Sequence, residues 1–314
     1  MSPNQIPIWD EKTKKFAGSR STKGIVAPTS SAISRSGTPV AKTYAFAADW
    51  HGNAYWAKVI IKNVAEHHGV KTLYQLGDFG LFPDKDGIEY LDEVSVQLNK
   101  YGMSLVIVPG NHDDYNQLSK MGTDEDGLLR FDESKYENIR FLPRGHVWEH
   151  DGDRFATLGG AGSIDKLLRV EGETWWSGEE ITLEDTKKLI DNVKSLGWDK
   201  VDFLLTHEAP AGARIESQIN GFNRPSWFTV EVEHYCWTQR MLLRDLVDEI
   251  KPTINLHGHW HVKSQNLIDG VDTQGNEYKT QVLGLAAEGM KGNSWIPKEG
   301  DIEAITSTEI TPEE

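Results

Sequence analysis

The chain has 314 residues, of which 38% are hydrophobic, enough for one large domain or two small ones with a sizeable core. Its formal net charge of −15 at pH 7 disfavours nonspecific nucleic-acid binding, because neutralising phosphates requires clustered Lys and Arg side chains. Its single cysteine, Cys236, excludes an intrachain disulfide and a cysteine-rich zinc motif, and it agrees with a reducing compartment.

The first 41 residues differ from the rest, since they are rich in Ser, Thr, Lys, Gly and Pro and show little periodicity. We interpret residues 1–41 as a flexible N-terminal arm, or as a segment that packs on the domain surface through Ile6, Ile8 and Trp9. The start of the chain lacks the apolar core of a signal peptide, and no run approaches transmembrane length. We therefore expect a cytoplasmic protein with no membrane partner.

From Thr43 onward, short apolar runs alternate with amphipathic segments, which is typical of a β-α order with parallel strands. The apolar runs predict strands at 44–48, 72–76, 104–108, 139–142, 147–150, 155–158, 201–205, 253–256, 264–268 and 278–283. The amphipathic segments predict helices at 54–68, 88–100, 183–196 and 235–250. Gly69 is the predicted end of the first helix, and Thr182 with Asp185 the predicted cap of the third. We assign the three strands between 139 and 158 to the second sheet of a sandwich.

Five short polar motifs each follow one of these apolar runs directly. In chain order they are Asp49-Trp50-His51, Gly77-Asp78, Gly110-Asn111-His112-Asp113, His207 and Gly258-His259-Trp260-His261. In open α/β sheets, ligands bind beyond the carboxyl ends of the strands, which is where all five motifs fall. Together they supply Asp, His and Asn side chains in the number and mix that two adjacent metal ions require.

The spacing within the motifs agrees with metal binding. Residues two apart in an extended segment point to the same side, so Asp49 and His51 can reach one ion, and His259 and His261 share one side. The two carboxylate oxygens of Asp78 can bridge ions about 3.5–4 Å apart. Each motif taken alone also fits a capped loop or a turn, and only the series of five favours a metal centre.

In this order the motifs resemble those of the calcineurin-like metallophosphoesterases, over residues 44–262, with the intervening segments unmatched. The resemblance implies an α/β fold, a four-layer α/β/β/α sandwich of two mixed β-sheets flanked by helices. It implies one ion held by Asp49, His51, Asp78 and His261, and a second held by Asp78, Asn111, His207 and His259. It also implies hydrolysis of a phosphoester by a hydroxide that bridges the ions, with His112 as the general acid. Asp113 or Asp114 is the candidate partner that orients His112.

The chain departs from the protein-phosphatase branch of that superfamily. That branch carries G-D-x-x-D-R-G, whereas here Gly77-Asp78 is followed by Phe79-Gly80-Leu81-Phe82. Our first substrate hypothesis is therefore a small or nucleotide-type phosphodiester, with long nucleic acid disfavoured by the acidic charge. The alternatives are a DNA or RNA nuclease, a phosphoprotein phosphatase and a non-catalytic binding protein on the same fold. We expect two divalent metal ions, with Mn²⁺ ranked ahead of Fe, Zn²⁺ and Ni²⁺.

The metallophosphoesterase domain is predicted to span 42–301, with inserted loops at 163–180 and 211–234 near the active site and an acidic tail at 302–314. The loops offer Arg169, Trp175, Trp176 and Arg214 as candidate substrate-binding residues, because aromatic and Arg side chains can stack a base and hold its phosphate. The tryptophans equally fit residues that close the core beneath long loops. The glycine-rich run 159–163 lacks the Lys of a P-loop, and we interpret it as a turn at the rim of the site.

Overall fold

The computed structural model describes residues 42–132, 134–215, 229–271 and 275–297, together with two short strands nearer the start of the chain. Those strands are β1 (Trp9–Asp10) and β2 (Lys15–Phe16), which pair antiparallel. The rest of the predicted arm, the middle of the second predicted loop and the predicted acidic tail lie outside the described residues. Among the helices that the structure describes, none is both long enough and apolar enough to cross a bilayer.

Thirteen further strands follow in the described part of the chain. They are β3 (Tyr44–Ala47), β4 (Thr72–Gln75), β5 (Ser104–Ile107), β6 (Gly122–Thr123), β7 (Leu129–Arg130), β8 (Ile139–Phe141), β9 (Val147–His150), β10 (Asp153–Leu158), β11 (Phe203–Thr206), β12 (Ile254–His257), β13 (Ser264–Val271), β14 (Glu277–Gly284) and β15 (Ser294–Trp295). The short pair β6 and β7 and the strand β15 were not predicted from the sequence.

Five α-helices connect these strands. They are α1 (Ala54–His68), α2 (Lys85–Tyr101), α3 (Tyr115–Leu118), α4 (Leu183–Ser195) and α5 (Val230–Ile250). The predicted helix ends are confirmed for α1, where Gly69 adopts a left-handed φ of 66°, and for α4, where Thr182 and Asp185 form a capping box. The helix α5 begins five residues before its predicted start, because Thr229 caps it.

The strands form two mixed sheets, as predicted. The first has the order β15-β3-β4-β5-β8-β7-β6 and the second the order β13-β14-β12-β11-β10-β9. The strands β3, β4, β5 and β8 run parallel, and so do β10, β11, β12 and β14, while both sheets have antiparallel strands at their edges. The assignment of the strand at 139–142 to the second sheet was wrong, because β8 pairs with β5 in the first.

The core has three layers of apolar side chains, which correspond to the three interfaces of a four-layer sandwich. Successive residues of a strand point to opposite faces. Ala45 and Ala47 therefore pack under α1 and α2, whereas Tyr44 and Phe46 lie between the two sheets. On the second sheet, Leu204 packs with side chains of α4 and α5, and its neighbours on β11 face the first sheet. The predicted α/β/β/α fold is thus confirmed.

Candidate metal centre

The five polar motifs meet where parallel strands of the two sheets end. The first three follow β3, β4 and β5 of the first sheet, and the last two follow β11 and β12 of the second. Backbone hydrogen bonds join the loops to one another: Asp49 N–H donates to the Gly77 carbonyl at 3.0 Å, and Gly258 N–H to the His207 carbonyl at 3.1 Å. Residues as far apart in the chain as Asp49 and His259, 210 positions, are therefore hydrogen-bonded neighbours at one site.

The backbone at these loops is strained. Seven non-glycine residues in the described part of the chain have positive φ, and five of them are predicted ligands: Asp49 at 50°, His51 at 46°, Asp78 at 52°, His259 at 66° and His261 at 55°. A left-handed conformation costs an L-residue roughly 1–2 kcal/mol. Such strain concentrates at functional sites, where the surrounding fold holds it in place.

The glycines of the motifs allow the loops to approach one another. A Cβ atom on Gly110 would lie 2.1 Å from the Asp78 nitrogen, and one on Gly258 would lie 2.5 Å from Asp49 Oδ2. Real Cβ atoms do not tolerate such distances, so only glycine fits beside the two carboxylates. These motif glycines are thus part of the site's geometry.

One group of candidate ligands contains Asp49, His51, Asp78 and His261, whose ligand atoms all lie within 4.8 Å of one another. His51 Nε2 lies 3.4 Å from Asp78 Oδ2, and His261 Nε2 lies 3.6 Å from Asp49 Oδ1. Asp49 is fully buried, and its Oδ2 has no hydrogen-bond partner. Burial raises the pKa of Asp49 to about 8 against the opposing positive charge of His207.

The second group contains Asp78, His207 and His259. His207 Nε2 lies 3.2 Å from Asp78 Oδ1 and 3.0 Å from Asn111 Oδ1, which places the predicted neutral ligand Asn111 in the same group. His259 Nε2 is buried without a hydrogen-bond partner. Asp78 belongs to both groups, with one oxygen beside each.

Hydrogen bonds behind these side chains determine which atoms face the cleft. The His207 Nδ1–H donates to the Leu76 carbonyl at 2.6 Å, so Nε2 is the ring nitrogen that faces the cleft. Asn111 Nδ2 donates to Ser163 Oγ at 3.0 Å, so its Oδ1 faces inward. Ser163 Oγ in turn donates to Glu179 Oε2 at 2.9 Å.

At the front of the second group, burial is outweighed by the negative charge of Asp78, which raises the pKa of His207 to about 9, and the Nε2 of His207 faces two oxygen acceptors. His207 Nε2 lies 3.0 Å from Asn111 Oδ1 and 3.2 Å from Asp78 Oδ1, so a neutral His207 presents a lone pair to two oxygens. Acceptors packed together in this way repel one another unless a cation or a proton lies between them. The donor set of carboxylate, amide oxygen and imidazole fits a divalent transition metal. The residues present thus fit the ions that the sequence predicts.

His112 lies beside the ligand groups. Its backbone N–H donates to Asp78 Oδ1 at 2.9 Å, its Nε2 lies 3.9 Å from Asp78 Oδ2, and the guanidinium of Arg169 approaches that Nε2 to 3.5 Å. Burial and then the positive charge of Arg169 lower the pKa of His112. Two hydrogen bonds of 2.7 Å to Asp165 and one of 2.8 Å to the Thr174 carbonyl hold Arg169 in this position.

The two candidate partners of His112 have other contacts. The buried carboxylate of Asp113 accepts backbone N–H groups of Gly80, Leu81 and Gly110 at 2.8 to 3.1 Å, and so ties two of the motif loops together. Asp114 caps α3 by accepting the Asn116 N–H at 2.8 Å. Both residues thereby stabilise the backbone around His112.

Of the other candidate substrate-binding residues, both tryptophans are buried, at 8% exposure for Trp175 and 5% for Trp176. The Lys166 ammonium lies 4.2 Å above the Trp175 ring. Such burial favours the alternative that these side chains close the core beneath the loop. Arg214 is exposed, and its backbone N–H donates to Asn266 Oδ1 at 3.0 Å. Arg169 is therefore the candidate that the structure brings to the centre.

Three buried residues that support the candidate ligands were not predicted from the sequence. They are Ser163 and Glu179 behind Asn111, and Glu288 behind His51. Ser163 lies in the glycine-rich turn that we had placed at the rim of the site. Glu288 follows β14, where no motif occurs, and no local sequence pattern marks it.

Comparison with known proteins agrees with this geometry. The family model for calcineurin-like phosphoesterases matches residues 42–263, which includes all five motifs. The chain belongs to the calcineurin-like phosphoesterase family. No curated protein matches this phosphoesterase in sequence.

Solved structures of the same superfamily resemble the phosphoesterase at low identity. Phosphopantetheinyl hydrolase from Mycobacterium tuberculosis is 16% identical, with a TM-score of 0.42, over 79% of this chain and 90% of that one. A purple acid phosphatase from yellow lupin seeds is 15% identical, with a TM-score of 0.40, over 77% of this chain and 43% of that one. These similarities carry no information about the substrate.

The close approach at Gly258 predicts the effect of a single methyl group. In Gly258→Ala, the added Cβ displaces the Asp49 carboxylate. We therefore expect Mn²⁺ to bind at least about tenfold more weakly, which is the usual loss when the residues that position a metal ligand are changed. Equilibrium dialysis with elemental analysis measures this. Gly122→Ala is the matched control, because its Cβ would meet nothing closer than 3.8 Å. Wild-type Mn²⁺ affinity in a folded Gly258→Ala protein would contradict the prediction.

Proposed function

We propose that this phosphoesterase hydrolyses a small or nucleotide-type phosphodiester at a centre that holds two divalent ions, with Mn²⁺ as the first candidate. The position of Asp78 carries the proposal. Its Oδ2 lies 3.4 Å from His51 Nε2 in one ligand group, and its Oδ1 lies 3.2 Å from His207 Nε2 in the other. A carboxylate that offers one oxygen to each of two groups is suited to bridge adjacent ions.

Divalent ions bound there would polarise the phosphoryl oxygens and supply a nucleophile at neutral pH. The protein supplies the remaining contacts. Arg169, whose position is set by Asp165, binds a non-bridging phosphoryl oxygen through a charged hydrogen bond. His112 donates a proton to the leaving oxygen from its place between Asp78 and Arg169. The negative charge of the phosphoester beside the ring raises the pKa of His112.

A diester is favoured over a phosphoprotein by the loop that follows β4. Where the protein-phosphatase branch carries Asp and Arg, this chain has Leu81, which is fully buried, and Phe82. These two positions therefore offer no cation to a phosphate monoester dianion. The formal net charge of −15 opposes the approach of long nucleic acid and leaves a small substrate as the best match.

Metal-dependent hydrolysis tests the proposal directly. Chelator-stripped protein should regain activity when Mn²⁺ is added, and bis-p-nitrophenyl phosphate should be cleaved faster than p-nitrophenyl phosphate. The Asp78→Asn variant should lose this activity, because it removes the charge that both ligand groups share. Faster cleavage of the monoester would overturn the diesterase assignment, and cleavage of DNA or RNA in preference to both would favour the nuclease alternative. Failure to bind or respond to any of Mn²⁺, Zn²⁺, Ni²⁺ or Fe would overturn the proposal itself.

A second variant tests the role of His112. His112→Ala should lower kcat by about 10²–10⁴, the usual contribution of a general acid, while the protein still binds two Mn²⁺ ions. Rates on the diester and metal content after dialysis are the two measurements. His67→Ala, a change of an exposed histidine in the last turn of α1, is the control. An unchanged kcat in His112→Ala would remove His112 from the mechanism.

The third test concerns Arg169. Arg169→Ala should lower kcat/KM for the diester by about 10- to 100-fold, because a hydrogen bond to a charged group is worth about 1.5–3 kcal/mol. Arg169→Lys should recover only part of the loss, since Lys cannot keep the paired hydrogen bonds to Asp165. Arg214→Ala serves as the comparison from the second loop. A larger loss in Arg214→Ala than in Arg169→Ala would reverse the assignment.

A further inference from the structure

Glu288 lies outside the segment that the family model matches, yet it contacts two residues of the Asp49-Trp50-His51 motif, Asp49 and His51. Its Oε2 lies 3.0 Å from His51 Nδ1, and its backbone N–H donates to the Asp49 carbonyl at 2.9 Å. The residue is buried, with 7% exposure. Glu288 therefore contacts the motif through its side chain and through its backbone.

The segment that carries Glu288 is held in place by the residues that follow it. After it, Ser294 of β15 pairs with Ala47 at the end of β3. Between the two, the buried Asn293 side chain donates to the carbonyls of Ala48 and Ala286, and it accepts the Trp56 indole N–H at 2.8 Å. These contacts hold Glu288 against the His51 ring. A glutamate on a mobile surface segment would have no such contacts.

The chemistry of the contact determines what His51 presents to the cleft. When a neutral His51 donates its Nδ1–H to Glu288, the lone pair of the ring lies on Nε2, the atom that faces Asp78 Oδ2 at 3.4 Å. A carboxylate behind a ligating histidine fixes the tautomer, holds the ring orientation and raises the electron-donating strength of the ring. His207, on the other side of the centre, is backed by the neutral carbonyl of Leu76 instead.

We infer that Glu288 is a positioning residue that strengthens the binding of the ion held by Asp49, His51, Asp78 and His261, and that it acts through His51. This inference rests on the proposed function, because it takes the two ligand groups as two ion positions. The segment after β14, which contains none of the five motifs, thereby has a role in the metal centre.

The effect on metal affinity tests the inference. Glu288→Gln keeps an oxygen that can accept the His51 hydrogen but removes the charge, whereas Glu288→Ala removes both. We expect Mn²⁺ to bind about 10-fold more weakly to one of the two positions in Glu288→Gln and up to about 100-fold more weakly in Glu288→Ala. Titration calorimetry and metal content after dialysis give the affinity and the stoichiometry without any substrate. Glu277→Gln, at an exposed position of β14, is the control.

A double-mutant cycle separates action through His51 from general damage to the site. Glu288→Gln should weaken Mn²⁺ binding in the wild type and in His259→Ala, but should have no further effect in His51→Ala. An equal effect in His51→Ala would overturn the inference, and so would wild-type affinity in Glu288→Gln. If the wild type bound no divalent ion, the proposed function would fail as well, whereas two bound ions with an inert Glu288→Gln would refute this inference alone. Glu288→Gln decides the question if Glu288→Ala does not fold.

Discussion

The arrangement depends on electron-pair donors that face one another inside a buried cleft. His51, His207 and Asn111 each use their outer polar atom for a hydrogen bond, to Glu288, to the Leu76 carbonyl and to Ser163. The inner atom of each side chain thereby faces the cleft, and the two oxygens of Asp78 lie between them. In a low-dielectric site these electron-pair donors repel one another unless a proton or a metal ion lies between them. The hydrogen bonds on the outer side of these side chains thus determine which atoms face the cleft, where a cation would bind.

The fold supplies the rigidity that this arrangement needs. Parallel strands in two facing sheets end at the same place, so short loops of distant sequence can interlock. The interlocking requires left-handed φ values at Asp49, Asp78 and His259 and glycines without room for a Cβ atom at 110 and 258. Each strained residue costs free energy, and the three apolar layers of the sandwich stabilise the loops that contain it.

The sequence was sufficient to predict most of the longer elements and to single out side chains that converge, because both follow local rules. Short continuous apolar runs identify buried strands such as β3, and side chains that follow strand ends converge whatever the loop lengths. The sheet to which a strand belongs was harder to predict. The strand at 139–142 would have the same local sequence pattern in either sheet, and only its pairing with β5 places it in the first. Ser163, Glu179 and Glu288 carry no local signal, because their role arises from tertiary contacts. Asp113 was expected near the His112 ring, and it accepts backbone amides instead.

The loop at 163–180 carries both the proposed substrate contact and a residue that supports a candidate metal ligand. Its first residue, Ser163, orients the Asn111 amide, and Arg169 within it approaches His112. Arg144 fixes the far end of the loop by donating to the carbonyls of Gly178, Glu179 and Glu180 at 2.7 to 2.9 Å. The loop is therefore built into the centre at both ends. Ser163 and Arg169 belong to the same segment, so we expect a change that reshapes this loop to affect both the candidate ligand Asn111 and the proposed substrate contact.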